Sequence, residues 1–316
     1  MSEPDGKATV KLPRVLYVLP TLYCNMSCSY CFTDYHPEFV KNDKREIPSG
    51  TVLSFAAAAA IENDLIAVVS GGEPFEYSEL RELLLGLSSR VLGIHLTTNG
   101  THLDEAALDW LNTIPNLLIT VSCHSRWKFI RELVDKLLPQ SRIPIAISQV
   151  IEPRNFAASL DLAAFLRERE LVFLTQILAP NGDPALERRG YESFSAEQRT
   201  VLRELFAKNR RSDFLDRWEH WRLEGKLING CPFDNRAIVL YASGNVYPCF
   251  FRPDEPVGNA IREAPETILA RFSSVAIATA NPRCARAECN AMFATPMSRE
   301  AYLAAAGFQS NTESKK

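Results

Sequence analysis

The chain has 316 residues, 46% of them hydrophobic, and a net charge of −3. That composition supplies a sizeable core and gives no general attraction for nucleic acid or an anionic membrane. The opening MSEPDGKATVKLPR lacks the apolar core of a signal peptide, and no apolar run is long enough to span a bilayer. A cytoplasmic protein is expected, where clustered thiols are metal ligands or catalytic groups more often than disulfides.

Short β-branched runs alternate with longer runs of helical period. Strands are predicted at 15–23, 65–74, 92–100, 117–125, 144–153 and 171–180, and helices near 51–63, 78–90, 104–114, 127–138 and 157–169. Asp104 caps the third helix. Near-continuous apolar strands separated by helices predict a parallel sheet covered by helices, and six βα units rather than eight predict an α/β partial barrel. Charged helices, SAEQRTVLRELFAKNRR and DFLDRWEHWRLEGK, follow between 181 and 228 and are expected to bridge the barrel's end. AIVLYASGNVYPCF then reads as a β-hairpin turning at Ser243, Gly244 and Asn245. The expected organisation is a tail to 12, a core over 13–225, a small hairpin-containing domain over 226–300, and a disordered tail over 301–316.

CNMSCSYC, residues 24–31, places Cys24, Cys28 and Cys31 in the loop leaving the first strand. This is the C-terminal rim, where barrel enzymes carry their chemistry. Iron–sulfur clusters usually take four thiolates, so a loop with three leaves one iron open to a substrate or cofactor. The alternatives are a zinc knuckle, for which His36 lies at short spacing, or unrelated surface thiols.

Cx3CxxC after a first strand, followed by SGGEP (70–74), TTNG (97–100) and VSCHS (121–125) at the ends of successive strands, resembles the radical S-adenosylmethionine (SAM) superfamily. The resemblance covers roughly residues 13 to 180. It implies a [4Fe–4S] cluster held by Cys24, Cys28 and Cys31, its open iron chelating SAM. Reduction then cleaves SAM to a 5′-deoxyadenosyl radical, which takes hydrogen from unactivated carbon. Gly71 and Gly72 let the backbone approach the methionine head group, unless they are a plain strand-to-helix turn. Glu73 can accept from the ammonium. Tyr30 and Phe32 can shield the cluster or touch adenine, or pack in the core. Asn99 and Ser122 fall where the family places polar contacts to SAM, although either can also be a capping residue.

Cys231-x12-Gly244-x4-Cys249 resembles the signature opening the auxiliary-cluster domains called SPASM and Twitch. CARAEC adds Cys284 and Cys289. The full SPASM pattern has three further cysteines, so the resemblance implies the shorter Twitch arrangement with one auxiliary [4Fe–4S] cluster; the alternatives are a four-cysteine zinc site or a cluster missing one ligand. Radical SAM epimerases use a lone thiol as a hydrogen donor, which Cys123 can supply. Strand alternation instead turns Cys123 away from the inner face shared by Ser122 and His124. His124 is a candidate for the substrate site, as a base. His95, His102 and His220 read as structural or solvated, and Trp218 and Trp221 as helix packing.

The expected function is a radical SAM enzyme that modifies a ribosomally made peptide by epimerisation, crosslinking or another C–H functionalisation. The alternative is oxidation of a small molecule such as an aminocyclitol or sugar, and the remote one a non-catalytic iron–sulfur or zinc scaffold. Only a dozen residues precede the core at 13, expected to be too few for a leader-peptide-binding domain, which counts against the peptide without removing it. An external electron donor of flavodoxin or ferredoxin type is implied, with no nucleic-acid or membrane partner.

Overall fold

A computed structural model describes residues 15–31, 38, 40, 43–60, 65–124, 126–177, 193–208, 237–249 and 256–274. Six parallel strands alternate with helices: β1 (Val15–Leu19), α1 (Ser49–Ala60), β2 (Ile66–Val69), α2 (Leu80–Ser88), β3 (Gly93–Thr98), α3 (Glu105–Leu111), β4 (Leu117–Ser122), α4 (Trp127–Lys136), β5 (Ile145–Ile151), α5 (Phe156–Glu168) and β6 (Val172–Ile177). Then come α6 (Ala196–Lys208), β7 (Ala237–Tyr241), β8 (Asn245–Tyr247), β9 (Gly258–Asn259) and α7 (Pro265–Ser274). No described helix is long and apolar enough to cross a membrane. The expected α/β partial barrel is the observed architecture.

Each βα unit forms for a local reason. On α2, Leu80, Leu83, Leu84 and Leu87 recur at helical spacing and are all buried. Asp104 caps α3, accepting from the Ala107 amide at 2.8 Å. The strands are apolar on the helix-covered face, as a parallel sheet under helices requires. One face, with Leu16, Val18, Val69, Leu96, Ile119, Val121 and Ile147, packs under the helices. The other curves inward and is divided. On its β1–β2–β7 side Val15, Tyr17, Leu19, Val68, Val239 and Tyr241 fill it. On its β3–β5 side it carries His95, Thr97, Thr120, Ser122 and Ser148, by alternation and register.

The predicted strands overran their true ends by up to five residues because the rim leaves the ladder. The second was expected to run to 74 but stops at Val69; Ser70 N–H still bonds Val18 of β1, and Gly72 N–H then turns to Thr21 in the loop after β1.

The sheet order is β6-β5-β4-β3-β2-β1-β7-β8-β9. The hairpin β7–β8 is therefore continuous with the core: β7 lies parallel to β1 in register from Val15↔Ala237 to Leu19↔Tyr241. Gly244 makes its turn at φ +82°, and a Cβ there would press on Ile261 and Asn259. Of the expected bridging helices, the first is α6; DFLDRWEHWRLEGK, the boundary near 225, both tails, His220, Trp218 and Trp221 lie outside the described residues.

His95 is buried on the inner face with Nε2 2.7 Å from Thr120 Oγ1, and burial holds its pKa down at about 4. Between the ordinary value of 6.5 and 4, the unfolded chain takes up a proton that the folded chain refuses. Stability should thus fall as pH drops through that window, by about 3 kcal/mol in all. Urea unfolding of His95→Asn across the window should show a shallower fall; an unchanged slope would assign the effect elsewhere.

Candidate functional site

The cysteine loop begins where β1 ends, and its base is fixed by backbone. Ser70 N–H donates to Val18 O at 2.9 Å, Gly72 N–H to Thr21 O at 3.0 Å, and Glu73 N–H to Tyr23 O at 2.8 Å. Gly71 adopts φ +125°, and a Cβ on Gly71 or Gly72 would overlap the Thr21 or Tyr23 carbonyl. SGGEP therefore clamps the chain immediately before Cys24. The amides of Gly72 and Glu73 are engaged inward and are not open to a ligand's head group.

Glu73 is 1% exposed. Its Oε1 accepts from Thr98 Oγ1 at 2.7 Å and the Phe75 amide at 3.2 Å, and its Oε2 from the Asn99 amide at 2.7 Å. Burial raises its pKa, and these three hydrogen bonds oppose the rise. Glu73 is thus a strut joining SGGEP to TTNG, with one acceptor site of Oε2 beyond these three bonds.

Cys24, Cys28 and Cys31 are each half-buried on this loop, with Cys31 N–H donating to Cys28 O at 3.2 Å. Burial pushes the Cys24 thiol up, opposed by the Met26 amide 3.4 Å from its Sγ; Glu73 and Cys31 add to the rise and the Asn99 amide works against it. Among the described residues no three Cys, His, Asp or Glu side chains converge to grip a single metal ion. The fit to an iron–sulfur cluster rests on donor chemistry: three thiols on one clamped loop, at a rim that keeps them partly open. A cluster's positive charge would deprotonate them outright.

Asn99 lies beside this loop, as expected, but its side chain has several partners of its own. Its Nδ2 donates to Asn25 Oδ1 at 2.8 Å and lies 4.0 Å from Cys24 Sγ, while its Oδ1 accepts from Thr101 N and Oγ1. Asn25 Nδ2 donates in turn to Thr101 Oγ1 at 2.8 Å and lies 3.1 Å from His102 Nε2, which is 2.8 Å from Glu76 Oε1. His102 thus pairs structurally with Glu76 at the edge of the site. Asn25 and Thr101 were missed; their positions beside Cys24 and inside the loop after TTNG were the available signal.

A second group lies at the end of β4. Tyr30 Oη is 3.1 Å from His124 Nδ1. Burial, with Arg126 adding, holds His124 at about 4; burial and then the Cys28 and Glu152 charges push the Tyr30 phenol up. Glu152, also 1% exposed, pairs with Arg154 at 3.0 Å. Ser148 Oγ donates to Ser122 Oγ at 3.3 Å on the inner face. Cys123 is buried in the core cluster with Val121 and Ile119, and its thiol lies close enough to Tyr30 to add to the rise of that phenol's pKa. Gln149, two residues before Ile151, is 3% exposed, and its amide has no hydrogen-bond partner among the described residues.

Phe32, His36, Cys231, Cys284 and Cys289 lie outside the described residues. Cys249 is half-buried two residues past β8. Tyr247 pairs with Val239, and Cys249 follows beyond the end of that ladder, close enough to Tyr241 to add to the rise of its phenol's pKa. Glu38 accepts from Asn245 Nδ2 at 2.5 Å and Tyr247 Oη at 2.7 Å, tying the hairpin to the chain that follows the cysteine loop.

The Radical SAM superfamily model matches residues 18–141 of this sequence. No curated protein sequence matches it. Among solved structures, Streptococcus suis SuiB bound to precursor peptide SuiA is similar with a TM-score of 0.62 and 16% identity, over 83% of this chain and 65% of SuiB. The chain thus spans just under two thirds of SuiB's length. The enzyme anSMEcpe with bound AdoMet is similar with a TM-score of 0.58 and 20% identity, over 81% of this chain and 80% of that one. Its complex with AdoMet and the Cp18Cys peptide has a TM-score of 0.59 at 19% identity, over 81% and 80%. At these identities the likeness establishes the fold.

Gly72→Ala should test the clamp. The added Cβ has only the Tyr23 carbonyl and Leu22 backbone to displace. A loss of at least about 2 kcal/mol is expected, read by thermal unfolding, with faster alkylation of Cys24, Cys28 and Cys31. Unchanged melting and alkylation would mean that the loop can yield at no cost.

Proposed function

We propose that this chain is a radical SAM enzyme whose three thiols, Cys24, Cys28 and Cys31, hold a [4Fe–4S] cluster with SAM on its open iron. The observation that carries this reading is the clamped Cx3CxxC loop, buttressed by SGGEP and TTNG within the segment that matches the superfamily model. When bound, the reduced cluster supplies the electron that splits SAM to a 5′-deoxyadenosyl radical able to take hydrogen from carbon. The polar half of the inner face, with Thr97, Asn99, Ser122 and Ser148, is suited to ribose and carboxylate oxygens. The apolar half excludes water from the same space. An external flavodoxin- or ferredoxin-type protein is the electron donor in this reading.

Burial holds His124 neutral, and its Nδ1 lies 3.1 Å from the Tyr30 phenol; whichever of the two atoms donates, the pair presents the substrate one hydrogen-bond donor and one acceptor. A peptide substrate is favoured, since the fold is shared with SuiB and anSMEcpe, both solved with peptides. Cys231, Cys249, Cys284 and Cys289 are proposed to hold an auxiliary cluster in a domain over 226–300. With every iron ligated by protein, that cluster is suited to receiving or relaying an electron.

Anaerobically reconstituted protein should carry about eight irons and eight sulfides, two cubanes per chain. Replacing Cys24, Cys28 and Cys31 together by Ala should halve the iron and abolish 5′-deoxyadenosine formation. Iron near half of that value in the unaltered protein, with zinc making up the rest, would remove the auxiliary cluster; residual reductive SAM cleavage in the triple variant would remove the first site.

Cys284→Ala with Cys289→Ala should leave SAM cleavage intact and stop product formation. Normal product from a folded double variant would leave the auxiliary site only a structural role.

A further inference from the structure

Asn25, Asn99 and Thr101 close a ring of three hydrogen bonds that all run in one sense. Asn99 Nδ2 donates to Asn25 Oδ1 at 2.8 Å, Asn25 Nδ2 donates to Thr101 Oγ1 at 2.8 Å, and Thr101 Oγ1 donates to Asn99 Oδ1 at 2.7 Å. Hydrogen bonds arranged head to tail polarise one another, so the ring is firmer than its members taken singly. It joins a residue of the cysteine loop to two residues of the turn after β3, more than seventy positions away.

Each amide nitrogen in the ring has one hydrogen left over. That of Asn25 faces His102 Nε2 at 3.1 Å. That of Asn99 faces Cys24 Sγ at 4.0 Å, the outer limit for a sulfur acceptor. The Asn99 carbonyl is held a second time by the Thr101 amide at 2.9 Å, and its own backbone N–H is held by Glu73 at 2.7 Å. The amide therefore has no freedom to rotate its spare N–H away from the sulfur unless the ring opens. His102 Nε2 lies 2.8 Å from Glu76 Oε1, which can only accept, so it donates there and leaves no lone pair for the Asn25 N–H.

We infer that Asn25 is a positioning residue for Cys24: the ring it closes keeps an Asn99 N–H on the Cys24 sulfur and so tunes the cluster which that sulfur ligates. A hydrogen bond to a ligating thiolate withdraws electron density and makes the cluster easier to reduce. The inference rests on the three-thiol reading proposed above, and adds residues outside the cysteine motif to what sets its electron affinity.

The test is an EPR-monitored redox titration of the reconstituted holoprotein and three variants, with iron content measured beside it. Asn25→Ala and Thr101→Val each open the ring without adding charge, and both should move the midpoint potential of the three-cysteine cluster to more negative values at unchanged iron content. Thr101→Ser keeps the hydroxyl and should titrate with the unaltered protein. Should Asn25→Ala fail to take up iron, the Thr101 pair decides, since Thr101 lies outside the cysteine loop. Full iron loading with an unmoved potential in Thr101→Val, or an equal shift in Thr101→Ser, would overturn the inference while leaving the functional reading intact. An unaltered protein that assembles no three-cysteine cluster would overturn both.

Discussion

The site depends on one buried carboxylate. Glu73 is closed off from water and receives three hydrogen bonds, two of them from the rim after β3. A buried carboxylate left unpaired costs several kcal/mol, so Thr98 and the Asn99 amide cannot drift from it without heavy loss. Its own amide holds the Tyr23 carbonyl, one residue before Cys24. One residue thereby fixes the ends of β1, β2 and β3 relative to each other. The glycines before it exist in this arrangement because the backbones of the first two loops meet with no room for a side chain.

From that strut the rest of the rim follows in two directions. Toward β4, the ring of Asn25, Asn99 and Thr101 carries the turn after TTNG back onto the cysteine loop, and Tyr30 crosses to His124. Toward the hairpin, β7 adds to the open edge of β1, so the first strand is interior to the sheet and its cysteine loop springs from a fully paired strand. Tyr241 and Tyr247 stack edge to face at 5.4 Å on the filled side of the inner face, which leaves the polar side under β3, β4 and β5 as the place for a polar ligand.

The sequence by itself determined the alternation of strands and helices, the parallel sheet and the placement of the cysteine loop, SGGEP, TTNG and VSCHS along one rim. It could do so because apolar period, capping and turn chemistry act over a few residues, as with the leucines of α2 and Asp104 before α3. Only the tertiary structure decided where the motifs' polar groups point. It turned Glu73 and the amide of Gly72 inward, made Asn25 and Thr101 part of the site, and laid the hairpin against β1. These are contacts between residues dozens to hundreds of positions apart, and each depends on which of several available donors or acceptors the folded chain brings within 3 Å. Local pattern places a residue on a rim or a face; the choice of its partner belongs to the assembled sheet.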